Sequence, residues 1–257
     1  MENHREESKE TLPAPELSVV IPAHNEEAII EKTLDEISGE FGVYEIIVVD
    51  SASTDNTRQV VEKYIADNAA HNIKVVSSEL GVSNARNKGA EHALGEYVFF
   101  LDADTRYSTG FVETALAKMK KRELDAAGFN LRPDVNNILL HVHFAVHNVC
   151  QKVLAKTPQY DSVVTGAAIL AKRKFVKKIG GFNPKMVLSE DADFAKRAGM
   201  EGRFGIIDER IIFNTERYRR VGEISYLRNA FRVLIGLGTD PALRDEYEKR
   251  DRYGRDI

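Results

Sequence analysis

Three short runs of nearly uninterrupted apolar residues, 17–22 (LSVVIP), 45–49 (EIIVV) and 97–101 (YVFFL), constrain this chain more than any other feature. A strand without polar alternation is buried on both faces, which marks a mainly parallel sheet covered by helices on each side. The segments between the runs have helical spacing. Ile29, Ile30, Leu34 and Ile37 recur at that period after Asn25, which reads as an N-cap; Val60, Val61, Tyr64 and Ile65 do so after a polar turn over 50–57. A strand at 73–77 and a helix over 81–94 continue the alternation, so the chain is expected to be an α/β protein.

Beyond Ser108 the rhythm loosens. Helices are expected at 109–122, 137–155, 173–179 and 189–200, and strands at 126–131, 163–171, 204–207 and 211–213, with Gly180-Gly181 as a break. The 257 residues, 43% hydrophobic and 30% charged, suit one large domain or one domain with appendages. A net charge of −4 argues against a nucleic-acid-coating protein, which leaves a basic footprint. Cys150 is the only cysteine, so no internal disulfide forms and a reducing cytoplasm is the default. Residues 1–16 are polar and acidic and read as a flexible leader, and no run reaches the roughly 18 apolar residues of a membrane span.

In such sheets ligands bind outside the carboxyl ends of the strands. Asp102 and Asp104 follow the run YVFFL. On an extended segment, side chains two apart face one side, so the two carboxylates could share a hard cation, Mg2+ or Mn2+, and through it a diphosphate. A solvated turn is the plainer alternative. Asp50 closes the second strand in VVDSASTDNT, as a nucleoside contact or as part of a capping turn. Ser189-Glu190-Asp191-Ala192-Asp193 opens a helix: Ser189 reads as its N-cap, and carboxylates in a first turn are stabilised by the macrodipole without any function. The preceding GGFNPKMVLSED gives this turn a route to a cleft, where a carboxylate can accept a proton. His141, His143 and His147 read as polar interruptions of an apolar helix rather than as metal ligands.

Together the motifs VVIPAHNEE, VVDSASTDNT, GVSNARNKG, FLDAD, TGAAILAKR with FVKKIGGFNP, and SEDADFAKR, in this order over about 17–214, resemble the family-2 glycosyltransferases. The resemblance implies a GT-A fold: a mainly parallel, Rossmann-like nucleotide-binding sheet flanked by helices, with a smaller acceptor-side region. It implies a catalytic domain at 17–214, and the residues beyond it, 215–257, read as a C-terminal helical extension with a charged tail. Pro22, Ala23, His24, Glu26 and Asp50 would line the nucleoside pocket, with Arg86 near the base or phosphates. Asp102 would meet the diphosphate and, with Asp104, the metal. Asp191 would match the catalytic base of inverting members, and Glu190 beside it would shape the acceptor site. The implied donor is a UDP- or GDP-sugar, and the implied acceptor a glycan or lipid-linked sugar.

The QxxRW signature of processive synthases is absent, which argues for transfer of one sugar at a time. A nucleotidyltransferase would need a Gly-rich loop where this chain has PAHNEE. A polyprenyl-phosphate sugar synthase acts on an acceptor already ionised, so Asp191 favours a hydroxyl acceptor; a non-catalytic nucleotide-sugar-binding protein would have no need of Asp102, Asp104 and Asp191 together. Finally, Ile224, Leu227, Phe231, Leu234 and Ile235 recur at helical spacing beside Arg228 and Arg232, after the basic run 217–220. Two readings of residues 217–235 stand: a stripe packed on the domain, or a peripheral contact with the cytoplasmic face of a membrane.

Overall fold

A computed structural model describes residues 16–154, 167–186 and 189–215. The first half alternates strand and helix: β1 (Leu17–Ala23), α1 (Ile30–Ser38), β2 (Val43–Ser51), α2 (Thr57–Asp67), β3 (Ile73–Ser78), α3 (Val82–His92) and β4 (Tyr97–Leu101). The second half adds α4 (Phe111–Lys121), β5 (Ala126–Pro133), α5 (Ile138–Leu154), β6 (Ala168–Lys172), α6 (Arg173–Lys178), α7 (Glu190–Glu201) and β7 (Phe204–Phe213). One sheet joins the strands in the order β3-β2-β1-β4-β6-β5-β7. Every pairing is parallel except those of β6, which lies antiparallel between β4 and β5.

Alternate residues of one strand feed opposite cores, which is why the strands read as continuous apolar runs. Val19 and Ile21 pack with Leu34 of α1 and Phe111 of α4 on one face; Val20 packs with Ala85 of α3 and Phe194 of α7 on the other. Phe99 and Leu101 serve the first core, Val98 and Phe100 the second. On the second face α3 lies so close to β1 that a Cβ on Gly89 would sit 2.2 Å from a methyl of Val20.

The chain runs outward from β1 to β3 on one side, then returns to place β4 on the other side of β1. That reversal is where open α/β sheets form a binding crevice. β1 pairs with β2 through Ala23 but with β4 only through Val20, so β1 and β4 part at their carboxyl ends. Pro22, which has no N–H to donate, lies beyond the last β4 pairing.

Several expectations need correction. Asn25 does not cap α1, which begins at Ile30; it adopts a left-handed conformation (φ 55°) and turns its side chain to the loop after β2. Ser189 occupies the N-cap position of α7, but at φ 60° its side chain makes no capping hydrogen bond. The two short strands expected at 204–207 and 211–213 are one strand, β7, whose register against β5 slips between Phe129 and Asn130. Residues 155–166 and 216–257, including the apolar stripe 224–235, lie outside the described residues.

A buried carboxylate fixes the turn that leads into β4. Glu45, on β2, accepts hydrogen bonds from Ser18 Oγ (2.6 Å), the Leu94 N–H (2.7 Å) and Lys74 Nζ (2.8 Å). Burial pushes its pKa up, but these donors prevail and hold it below the usual carboxylate value of 4.5. The stability this gives is complete above the unfolded pKa and lost as pH falls through the depressed folded one. Glu45→Gln should therefore cost about 1–3 kcal/mol at pH 7 and lose less further stability than the parent between pH 5 and pH 3. Urea melts across that range check this; parallel acid limbs in the two proteins would remove Glu45 from the account.

Candidate active site

The loops that leave β1 and β2 are joined into one rigid unit. Asn25 Oδ1 accepts the backbone N–H groups of Thr54 (2.6 Å) and Asp55 (3.2 Å), while the Asn25 N–H donates to Ser53 Oγ (3.0 Å). The Glu26 N–H donates to Thr57 Oγ1 (2.7 Å), and Glu27 Oε2 accepts from both the backbone and the side-chain amide of Asn56 (2.9 Å each). Asp50, buried at the end of β2, accepts the Ser53 N–H at 3.1 Å. The left-handed backbone at Asn25 and Ala52 (φ 55° each) lets both loops turn sharply enough to meet.

His24 belongs to the same unit. Its Nδ1 lies 2.7 Å from the Ser51 carbonyl, which can only accept, so Nδ1 carries the proton and donates. Asn25 Oδ1 already serves backbone donors, so its Nδ2 faces His24 Nε2 at 3.2 Å and donates to it. Pro22 and Ala23 are buried at the end of β1, opposite Val49 and Asp50, and Glu26 is half-buried above α1. All five residues expected in a nucleoside pocket therefore cluster at the adjoining ends of β1 and β2.

The Asp102–Asp104 segment is a turn rather than an extension of β4: the Thr105 N–H donates to the Asp102 carbonyl at 3.0 Å. The strand-alternation argument for the two carboxylates thus does not apply. What places them is the buried residue between them. The Ala103 carbonyl accepts Thr33 Oγ1 of α1 at 2.5 Å, and the Asp102 N–H donates to the Ala167 carbonyl at 3.0 Å. Asp102 and Asp104 stand on either side of this anchor, the first partly and the second well exposed to solvent.

Arg86, on α3, is the centre of the other half of the site. Its side chain is only 2% exposed; Nη2 donates to Asp102 Oδ1 at 2.7 Å, and Nη1 to Glu190 Oε1 at 3.0 Å. Burial opposes its charge, but Asp102, Glu190 and Asp191 outweigh that and raise its pKa above the ordinary arginine value. The guanidinium lies 5.1 Å from the centroid of Phe182, which stacks on Phe194 at 4.4 Å. Asn87 clamps both backbone groups of Phe182 at 2.7 Å. Glycine suits position 181, where φ is 68° and a Cβ would sit 2.3 Å from Asn87 Oδ1 and displace that clamp.

The acids opening α7 have three different fates. Glu190 is buried on Arg86, and Asp193 binds Arg197, which also donates to the carbonyls of Ile179 (2.7 Å) and Gly181 (2.8 Å). Asp191 is half-buried, and its Oδ1 accepts the Ala192 N–H at 2.8 Å. The Gly180-Gly181 break, expected to let the carboxylates of α7 reach a cleft, is flanked by residues held from α3 and α7: Phe182 by Asn87, and Ile179 and Gly181 by Arg197. Sequence reasoning passed over Asn25, Thr33, Asn87, Phe182 and Arg197 as site-builders. The one available signal was position, since Asn87 directly follows Arg86 and Asn25 directly follows His24. On α5, burial lowers the pKa of His143 and, with His143 beside it, that of His147 to about 4.

Residues 18–180 match the family model described as Glycosyl transferase family 2, which covers more than half of the chain. The chain belongs to this family. Among its relatives is the "Putative teichuronic acid biosynthesis glycosyltransferase TuaG" of Bacillus subtilis (strain 168), 33% identical over 109 residues, 42% of this chain and 43% of that protein. Glycosyltransferase AglE of Haloferax volcanii is 23% identical over 228 residues, 86% of this chain and 73% of that one. Against the first of these relatives the match spans less than half of the relative's length. Among solved structures, the mannosyltransferase PcManGT of Pyrobaculum calidifontis, in complex with GDP-Man and Mn2+, aligns over 92% of this chain and 70% of its own. Its TM-score is 0.67 at 24% identity. S. aureus TarS 1-349 in complex with UDP-GlcNAc aligns over 90% of this chain and 70% of its own, with a TM-score of 0.59 at 20% identity. These likenesses establish the GT-A fold.

The joined loops give a direct test. Asn25→Ala should leave the global fold intact but remove the acceptor for two backbone N–H groups, speeding amide exchange at Thr54 and Asp55 by roughly 10- to 100-fold. Hydrogen exchange followed by NMR reads this, and unchanged protection at both amides would show that the loops are held some other way.

Proposed function

We propose that this family member transfers one sugar from a nucleoside-diphosphate donor to an acceptor hydroxyl, with inversion and with Mg2+ or Mn2+ as cofactor. The observation that carries the reading is the common anchorage of two carboxylate sites on Arg86: the exposed Asp102–Asp104 turn on one side and the first turn of α7, bearing Asp191, on the other. The structural neighbours, one in complex with GDP-Man and Mn2+ and another with UDP-GlcNAc, support the donor class.

Asp102 and Asp104 fit a divalent cation that is shared with a substrate, since Mg2+ is commonly held by one or two carboxylates and substrate phosphates. Among the described residues no group of three or more His, Cys, Asp or Glu could hold one by itself. The cation, when bound, neutralises charge on the departing diphosphate. His24, Asp50 and Glu26, with Pro22 and Ala23, form the nucleoside wall, prebuilt by the joined loops. Asp191 accepts the acceptor's hydroxyl proton as that oxygen bonds to the anomeric carbon and the diphosphate leaves with the electron pair of the broken bond. A single displacement of this kind inverts the anomeric centre.

The catalytic unit in this proposal spans 17–214, with 215–257 as an extension. A lipid-linked acceptor is favoured by α5, whose outer face exposes Ile138, Val142, Val149 and Val153, and whose sequence carries no acidic residue. A Campylobacter jejuni relative, 34% identical over 108 residues that make up 34% of its length, is named a GalNAc(5)-diNAcBac-PP-undecaprenol beta-1,3-glucosyltransferase. Among the described residues no helix is long and apolar enough to cross a membrane. The contact we propose is a peripheral one, through α5 and 217–235.

Asp191→Asn should lower turnover by roughly 10²- to 10⁴-fold while the affinity for UDP or GDP with Mn2+, read by calorimetry, stays nearly unchanged. A variant that keeps most of its turnover would remove Asp191 as the base. Cosedimentation with anionic vesicles should fall steeply with salt and fall again in a folded Val142→Asp, Val149→Asp variant. No sedimentation at low salt would count against the membrane contact and favour a soluble acceptor.

A further inference from the structure

Resting on the reading above, we propose that Arg86 is an internal counter-cation: it holds Asp102 and α7 together before the donor arrives, and so prevents a divalent ion from binding the Asp102–Asp104 turn without a diphosphate. Several features of the geometry converge on this role. The guanidinium is 2% exposed and spans two elements far apart in the sequence, since Asp102 follows β4 and Glu190 begins α7. Its planar fork sets the distance between them, because Nη1 and Nη2 are fixed relative to one another. It is walled by the ring of Phe182, which is itself clamped by Asn87, stacked on Phe194 and packed edge-on against Phe100 at 5.0 Å. Swinging Arg86 out toward a phosphate would require dismantling that wall.

The charge balance points the same way. One oxygen of Asp102 is engaged by a cation at 2.7 Å, so a free divalent ion approaching the turn meets a half-neutralised Asp102 and a fixed positive charge behind it. Among the described residues no third metal-ligating side chain completes the set. A diphosphate supplies the missing negative charge and oxygens, so donor and ion enter together. In the meantime Arg86 prevents mutual repulsion between Asp102 and the acids of α7. Arg86 is thus a positioning residue acting through Asp102 and Glu190, and Glu190 is its anchor rather than a group that faces the acceptor.

The test is Mn2+ binding without nucleotide, read by electron paramagnetic resonance, alongside donor turnover and KM. The wild type should bind Mn2+ weakly alone and much more tightly with UDP or GDP. Arg86→Met frees Asp102, so binding of Mn2+ alone should strengthen by about tenfold or more, while turnover at saturating donor falls at least about 100-fold as α7 loses its anchor. Arg86→Lys keeps the charge without the fork: Mn2+ alone should bind as weakly as in the wild type, yet turnover should still fall. Glu190→Gln should likewise leave Mn2+ binding weak and lower kcat more than it raises KM.

An Arg86→Met protein with unchanged binding of Mn2+ alone, raised KM and normal kcat would make Arg86 a direct phosphate ligand and overturn the proposal. If circular dichroism shows Arg86→Met to be unfolded, the Lys and Gln variants decide, and wild-type turnover in either overturns it. A wild type that binds no Mn2+ even with UDP or GDP would instead refute the cation in the proposed function, an outcome visible before any variant is made.

Discussion

The structure depends on one buried guanidinium. Without Arg86, Asp102 and Glu190 would face each other across the gap between β4 and α7 with no cation between them, in surroundings where an unpaired charge is costly. Around it the second core is arranged as a socket: Phe182 lies beside the guanidinium, Phe194 and Phe100 lie against Phe182, and Asn87, one residue on, fixes the Phe182 backbone. The socket is built round glycine at 181, where a Cβ would displace Asn87, and the seating of α3 round glycine at 89, where a Cβ would meet Val20. Packing and chemistry therefore share the same residues on this face of the sheet.

The other half of the site is built on a different principle. Where the Arg86 cluster relies on a buried ion-pair network, the loops after β1 and β2 rely on many hydrogen bonds between side chains and backbone amides near the surface, each modest alone. Their combined effect is to fix the backbone of 23–29 against that of 50–57. β1 parts from β4 between these halves, at the carboxyl ends of the strands where open α/β sheets bind ligands.

Much of this was legible in the sequence, and for identifiable reasons. Double-sided burial leaves an unbroken apolar run, so β1, β2 and β4 announced themselves, and the carboxyl ends of those strands located Asp50, Asp102 and Asp104. Local sequence carries less about what a polar side chain binds. Asn25 looked like a helix cap because its type suits one, yet its partners are Thr54 and Asp55, about thirty residues away. Glu190 looked like a companion to Asp191, but helix geometry turns it inward onto Arg86, 104 residues earlier in the chain. The antiparallel β6 and the continuous β7 were likewise set by sheet pairing, which no local window records.

The central claim is that this crevice carries out cation-assisted, inverting transfer from a nucleotide sugar. Its most direct test is the anomeric configuration of the first product, followed by proton NMR as the purified protein consumes α-linked UDP- and GDP-sugars with Mn2+. The account predicts a β-linked product from the one accepted donor, with consumption that stops in excess chelator. An α-linked first product, or equal consumption in chelator, would contradict it.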